Sequence, residues 1–427
     1  MAQTKKVYDE NSIESLSPLE FTRLRPQVYA GDCTYATQLL IEIISNSIDE
    51  FRNGNGDTIE VIIDKDIVSV RDFGQGFLTN SFRDDGKTIL EAAFSVLNTS
   101  GKYREDGVYE GTSLGSFGIG SKITTFLSHW LNVSTWRDGK YEQIHFIEGE
   151  FSERISTPSG PDIKALTGTR VMWQPSEEFF THTEVEIEVI KKLFKTTSCL
   201  CPGLKISLKY NNEDEIIYLS KNGISDLVDE AVKDNELLKN RFNMNFIDGK
   251  NKLDLILTYT SNYSSIIVPY VNTGLTETGP HITQFKTIIT KIFNNFLREK
   301  KWLKEKDTNL TGDDIQEGMY LAFNLTTAGV GYDAQVKSRI TKLDMKPFTP
   351  AFIEAFEQWC ESNEKEIKII ADKALNARKA REAAKKAREA VREKGEKKQK
   401  ALKFDSKLAD CYGKDRSKCE IYITEGK

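Results

Sequence analysis

The sequence predicts an α+β protein of two mixed domains leading into a long basic helix. Three observations carry this. Residues 1–205 combine an apolar-rich helical stretch with β-branched alternation and glycine-rich turns. Residues 206–355 alternate strand-like and helix-like segments. Residues 363–400 are rich in Ala, Lys, Glu and Arg, with no Pro and only Gly395, the composition of one long exposed helix. At 427 residues the chain also exceeds one ordinary core.

In chain order, a polar N-terminal arm precedes a helix expected over residues 35–51. Residues 57–64 and 67–71 are β-branched and alternate, and Lys65-Asp66 between them fits a tight hairpin. From 95 to 120 the chain is rich in Ser, Thr, Asn and Gly, which reads as a mobile loop. Pro202-Gly203 is the expected domain boundary, with strands over 204–210, 253–259 and 320–325 and helices over 225–240 and 281–301 beyond it. The division expected is 1–205, 206–400, and 401–427 as a linker and the start of a further domain. Residues 418–427 read as a strand ending in Glu-Gly, where that further domain is cut short.

Composition excludes several classes. Hydrophobic residues are 39% and charged residues 29%, and no apolar run approaches the roughly eighteen residues that span a bilayer. The polar start has no apolar stretch after its lysines and does not read as a secretory signal, so a cytoplasmic location is the default. Six cysteines without CxxC spacing argue against structural zinc, and Cys199-Leu-Cys201 reads as ordinary buried thiols. The net charge of −5 hides an asymmetry: residues 373–403 hold thirteen Lys/Arg against four Glu, a net of +9, leaving −14 elsewhere.

Within the expected first helix, Glu42, Asn46 and Asp49 stand at i, i+4 and i+7 on one face, amid Leu39, Leu40, Ile43, Ile44 and Ile48. A solvated polar stripe is the ordinary meaning of such a pattern. Here it is followed by Asp72-Phe-Gly74-Gln-Gly76, whose glycines admit a flat ligand and whose carboxylate can accept from an exocyclic amine. Next comes Gly115-Ser-Phe-Gly118-Ile-Gly120-Ser-Lys122, whose backbone N–H groups suit phosphates, although the P-loop pattern is absent. Each string alone is weak.

Together, and in order with Gly168-Thr169 on a later strand, these strings resemble the GHKL (Bergerat) ATP-binding fold. That superfamily includes gyrase-type topoisomerases, Hsp90-type chaperones, MutL-type repair proteins and histidine kinases. Residues outside the pocket choose the branch. Tyr8 to Ile13 and Leu24-Arg25-Pro26-Gln-Val-Tyr29-Ala-Gly31 resemble the arm and the "RPGMYIG" segment of type IIA topoisomerase B subunits. Asp333-Ala-Gln335-Val-Lys337 resembles that family's Gln-Thr-Lys loop, and Lys407-Leu-Ala-Asp410 with Glu425-Gly426 resembles the opening of its TOPRIM domain.

The resemblance implies a GHKL α/β sandwich followed by an α+β transducer ending in a long helix. It implies ATP and Mg²⁺ as ligands, with Glu42 as general base and Asn46 holding Mg²⁺. Asp72 and Thr169 would bind adenine while Gly74 and Gly76 admit the ring. Gly115, Gly118 and Gly120 would wrap the phosphates, with Lys102 as a further phosphate contact. Gln335 and Lys337 would reach the γ-phosphate, and Asp49 belongs to the same pocket stripe. Tyr8, on an arm that crosses to a second copy, would make ATP binding close a homodimer. Double-stranded DNA would run near the basic helix, and a cleavage subunit or domain would carry the catalytic tyrosine. No membrane partner is implied. DNA cleavage is not expected here, because the Asp-x-Asp metal motif would lie after Lys427. Three positions depart from the family pattern: Ser45 for Asp, Gln75 for Arg and Val336 for Thr. Arg137 resembles a second rim arginine. The competing reading is a chaperone or mismatch-repair switch with the same pocket, acting on protein partners, and a third is nucleotide binding without useful hydrolysis.

Overall fold

The computed structural model describes residues 16–97, 118–157, 166–333, 338–402, 415–420 and 423. Two short helices come first, α1 (Pro18–Leu24) and α2 (Pro26–Ala30), each begun by a proline. Ser17 and Glu20 form a capping box on α1, satisfying two N–H groups that a helix start leaves open. The expected pocket helix is α3 (Thr37–Arg52). The expected hairpin is β1 (Thr58–Asp64) and β2 (Ile67–Asp72), with Lys65 in the left-handed region at φ 57°. There follow α4 (Ile89–Ser95), α5 (Gly120–Phe126), β3 (Ser128–Arg137), β4 (Lys140–Ile147), β5 (Glu150–Thr157) and β6 (Gly168–Pro175). Helix α6 (Ile187–Leu200) leads to β7 (Lys205–Tyr210) and β8 (Ile216–Tyr218).

These strands make one sheet in the order β5-β4-β3-β6-β2-β1-β7-β8, antiparallel except where β7 joins β1. Ile59, Val61 and Ile63 of β1 point inward, and Glu60, Ile62 and Asp64 outward. One face is therefore covered. Leu39, Ile43 and Ile44 of α3 pack there with Leu90, Ile123, Ile190 and Phe194 from α4, α5 and α6. Pro202-Gly203 does not divide the two halves as expected. It is a turn, with Gly203 at φ 92°, that returns the chain to its first sheet, where Ile206 and Leu208 join the same core. The change of sheet comes after Tyr218, beyond the expected boundary at 205.

The second half contains α7 (Ile224–Val232), β9 (Phe242–Asp248), β10 (Asn251–Tyr259), β11 (Ile266–Val271) and β12 (Gly274–Leu275). It continues with α8 (Pro280–Glu299), α9 (Gly312–Gln316), β13 (Met319–Thr326), β14 (Gly331–Tyr332), β15 (Ile340–Lys342), α10 (Thr349–Ser362) and α11 (Glu364–Leu402). The helix expected over 225–240 stops early, because Glu236 and Leu237 leave it to pair with Thr260 and Tyr259. The sheet order is β12-β11-β13-β10-β9. Strand β13 is buried along nearly its whole length, since both faces are covered. Leu321, Phe323 and Leu325 face α8 and α10, while Tyr320 and Ala322 face α7.

The long helix begins packed and then leaves the core. Ile367, Ile370, Ala371, Ala374 and Ala377 are buried at helical spacing, and each buried isoleucine is worth roughly 1.5–3 kcal/mol. Arg381 then grips the buried carboxylate of Asp314 through Nε and Nη2 at 2.8 and 2.9 Å. From Lys379 to Arg392 the side chains are exposed, and the i,i+4 pair Lys385–Glu389 spans 3.8 Å. A short 3₁₀ turn at Arg416–Lys418 is followed by Cys419 and Glu420, which form no strand. Lys407, Asp410, Glu425 and Gly426 lie outside the described residues. Among the described residues no helix is long and apolar enough to cross a membrane.

Candidate functional site

A cavity of about 900 Å³ opens between α3, the turn after β2 and the start of α5, with Gly274 and Leu275 of β12 on its wall. Helix α3 aims Glu42 into it. Gln38 Nε2 donates to Glu42 Oε1 at 2.8 Å, which orients the carboxylate. The other oxygen, Oε2, sits against Gly120 so closely that a Cβ there would collide with it. A side chain at the start of α5 would thus displace the Glu42 carboxylate. Asn46, one turn further along α3, is exposed on the same wall.

Asp72 forms the buried end of the cavity. Its Oδ1 accepts from the N–H of Gly74 at 3.0 Å and of Thr169 at 3.2 Å, and Ser47 Oγ donates to Oδ2 at 3.3 Å. Burial pushes the Asp72 carboxyl above its usual range, and the two backbone donors pull against that shift. A carboxylate has about four acceptor directions, so these three donors leave room for a ligand donor.

The turn after β2 is fixed from both sides. Gly76 has φ 72°, and a Cβ on it would lie 2.5 Å from the Trp136 carbonyl. Gly168, at φ 103°, passes so close to the Asp72 carbonyl that a Cβ would clash. Thr135 Oγ1 accepts from Phe77 N–H at 2.8 Å and donates to the Gly168 carbonyl at 3.3 Å. Glu50 Oε2 accepts from Gln75 N–H at 3.3 Å and sits against Gly74. Arg137 Nη1 donates to the Gly76 carbonyl at 3.1 Å, and Arg71 stacks over Trp136 at 3.9 Å. These contacts hold the turn in place beside the cavity.

The structure brings together Glu42, Asn46, Asp72, Gly76, Gly118, Gly120 and Thr169 on the cavity wall, with Gly74 immediately behind the turn. It places Asp49 elsewhere. That residue is buried, with its carboxylate 3.9 Å from Arg52, at the end of α3 that meets the second sheet. Tyr8, Lys102, Gly115, Gln335 and Lys337 lie outside the described residues.

Sequence reasoning passed over Lys122. It is buried on the cavity wall, and burial draws its ammonium down to about 8. The signal was present, since Lys122 follows Gly118-Ile-Gly120-Ser in the first turn of α5. Ser47 and Glu50, which hold Asp72 and its turn, also escaped notice because nothing in local spacing marks them.

This layout defines a class, a GHKL-type nucleotide-binding fold joined to a second α+β unit. The family model for DNA gyrase B matches residues 223–390. The DNA gyrase B subunit of Clostridium acetobutylicum is 30% identical over 434 residues, which cover 100% of this chain and 67% of that protein. The DNA topoisomerase 4 B subunit of Staphylococcus epidermidis is 32% identical over 430 residues, covering 98% of this chain. The 43K ATPase domain of Thermus thermophilus gyrase B, solved with an aminocoumarin, superposes with a TM-score of 0.69 at 27% identity, covering 87% of this chain and 98% of that one. The chain belongs to the B-subunit family of type IIA DNA topoisomerases. It spans 64% of the length of the staphylococcal topoisomerase 4 protein that it matches.

Proposed function

We propose that the cavity binds and hydrolyses ATP, and that the chain acts as the nucleotide-operated clamp of a type IIA DNA topoisomerase. One observation carries the reading: a single cavity has Asp72 buried at one end and Glu42 beside the glycine-lined start of α5. Asp72 accepts from the adenine amino group, and Thr169 flanks it. The N–H groups around Gly118 and Gly120 receive the phosphates, with the Lys122 ammonium supplying positive charge. Glu42, oriented by Gln38, takes the proton of the attacking water. Among the described residues no cluster of three or more acidic, His or Cys side chains could hold a metal. The exposed Asn46 amide oxygen on the cavity wall would hold Mg²⁺, a hard cation that would supply positive charge against phosphate.

The rest of the clamp extends this reading. Gly115 and Lys102 join the phosphate site, and Gln335 and Lys337 reach the γ-phosphate from the second half, linking nucleotide state to that half. Tyr8 and the arm around it cover the nucleotide of a second copy, so ATP closes a homodimer. The exposed cations of α11 face captured double-stranded DNA, and a cleavage subunit or domain supplies the catalytic tyrosine. The cell compartment is the cytoplasm.

A phosphate-release assay tests the core of this proposal. Wild type turns over ATP, and Glu42→Ala loses about 10²–10⁴-fold in turnover while still binding a non-hydrolysable analogue. Sizing with that analogue shows a dimer. Undiminished turnover in Glu42→Ala removes the residue from its role, and a monomer with analogue bound removes the clamp.

A further inference from the structure

Helix α3 carries Glu42 and Asn46, and its last residue, Arg52, reaches out of the first sheet's half of the molecule. Arg52 is largely buried, with 12% of its side chain exposed. Its Nη1 donates to the Asn272 carbonyl at 3.3 Å, and its Nη2 to Asn272 Oδ1 at 3.5 Å and to Thr326 Oγ1 at 3.3 Å. On its own helix, Asp49 Oδ1 lies 3.9 Å from Nη1. One guanidinium thus joins the end of the nucleotide helix to the second sheet.

What Arg52 holds is a rigid corner. Asn272 and Thr273, at φ 51° and 69°, form the turn between β11 and β12. The Asn272 side chain clamps the end of β13, donating to the Thr327 carbonyl at 3.0 Å and accepting from Thr327 N–H at 3.1 Å. The next two residues after the turn, Gly274 and Leu275, stand on the cavity wall. A shift of this corner therefore moves that wall. Two other polar links between the halves, Asn324 Nδ2 to the Leu200 carbonyl at 3.0 Å and Lys195 to Glu230 at 2.7 Å, are made by α6. Helix α6 carries none of the cavity residues.

We propose that Arg52 is a positioning residue for ATP turnover, setting the β11–β12 corner of the second sheet against the nucleotide cavity. This rests on the reading of the cavity as an ATP site. Three hydrogen bonds of 3.3–3.5 Å from one guanidinium are the contact through which α3 meets this corner. Asp72 and the glycines around Gly118 and Gly120 all belong to the first half, and they continue to bind nucleotide when the joint is broken. Turnover, which needs the second half in register, slows.

The test is a comparison of wild type, Arg52→Ala, Arg52→Lys and Thr326→Val in the full chain. Analogue binding is measured by calorimetry and ATP turnover by phosphate release. Arg52→Ala is expected to lose about tenfold in kcat with less than about a twofold change in analogue Kd. Arg52→Lys, which keeps the charge and can reach one acceptor, restores part of the loss. Thr326→Val shows a smaller loss that vanishes in the Arg52→Ala background, as expected of groups that act through one contact. If Arg52→Ala fails to fold, the Lys and Val variants carry the test alone. Unchanged kcat in every folded variant, or equal loss of binding and kcat, overturns the proposal. Absence of analogue binding in wild type overturns the ATP reading instead.

Discussion

The two sheets are packed in different ways. The first core is mainly aliphatic, with Leu39, Ile43, Val61, Val133 and Ile144 at its centre, and it keeps Asp72, Lys122, Thr124 and Thr135 buried beside a cavity. The second core is built on phenylalanine. Phe352 lies 4.9 Å from Phe285, 5.8 Å from Phe356 and 5.9 Å from Phe242, ring centre to ring centre. A site must bury charge and bring backbone close to a ligand, and both requirements work against dense apolar packing. Interlocked rings suit a core that carries no such site. The first core thus keeps polar groups buried beside a cavity, whereas the second is packed mainly from aromatic and aliphatic side chains.

The largest expected effect tests the second core. Phe352→Ala should lower stability by about 3–5 kcal/mol, read from denaturant melts. Analogue affinity of the folded variant should stay near wild type, because Phe352 sits among Phe242, Phe285 and Phe356 in the second core and is not part of the cavity lining. If affinity falls in step with stability, the two halves are not separable in this way.

A somewhat smaller effect comes from His281, fully buried at the start of α8. Its Nε2 is 3.0 Å from Thr276 Oγ1, and burial lowers the ring to about 4. The unfolded ring takes up its proton near pH 6.5 and the folded ring only near pH 4, so stability is lost as pH falls between those values. The full shift corresponds to about 3 kcal/mol. Chemical melts at about pH 7 and about pH 4.5 should show that a His281→Gln variant loses less stability over this interval than wild type. Equal losses would mean that the ring is not the titrating group.

The smallest effect belongs to the first half. As pH rises through about 8, Lys122 loses its proton, and with it the charge that attracts phosphate. Analogue affinity should fall about tenfold between about pH 7.5 and about pH 9.5. In Lys122→Met it should be weaker but flat over the same range. A parallel fall in both proteins would assign the pH dependence elsewhere.

Much of this was legible in the sequence where the signal is local. Helix α3, the β1–β2 hairpin and α11 each repeat one period over enough residues to be read directly. The glycine turn was legible because close backbone approach and positive φ tolerate no other residue at Gly76 or Gly168. Asp49 shows where local reading fails. Seven residues of helix return to nearly the same face as Glu42, drifting only about 20°, yet that end of α3 is occupied by Arg52 and the second sheet. Lys122 stands in plain view after the glycine string, but its burial, which spacing does not report, is what sets it apart. The boundary at Pro202-Gly203 misled because a turn looks alike whether the chain leaves a sheet or comes back to it. Of β3 to β6 only the start of β6, at Gly168-Thr169, reads as strand from the sequence; in β4 the fully buried Glu142, paired with Arg154 at 3.1 Å, breaks the apolar alternation.

The central claim is that Asp72 reads adenine at the closed end of a cavity in which Glu42 acts on water. Calorimetric titration of non-hydrolysable ATP and GTP analogues into wild type and Asp72→Asn tests it most directly. Wild type should bind the ATP analogue and discriminate against the GTP analogue, and Asp72→Asn should lose about 10–100-fold in affinity for the ATP analogue, the worth of a charge-assisted hydrogen bond. Wild type that binds neither analogue, or an Asp72→Asn variant that binds the ATP analogue as tightly as wild type, would contradict it.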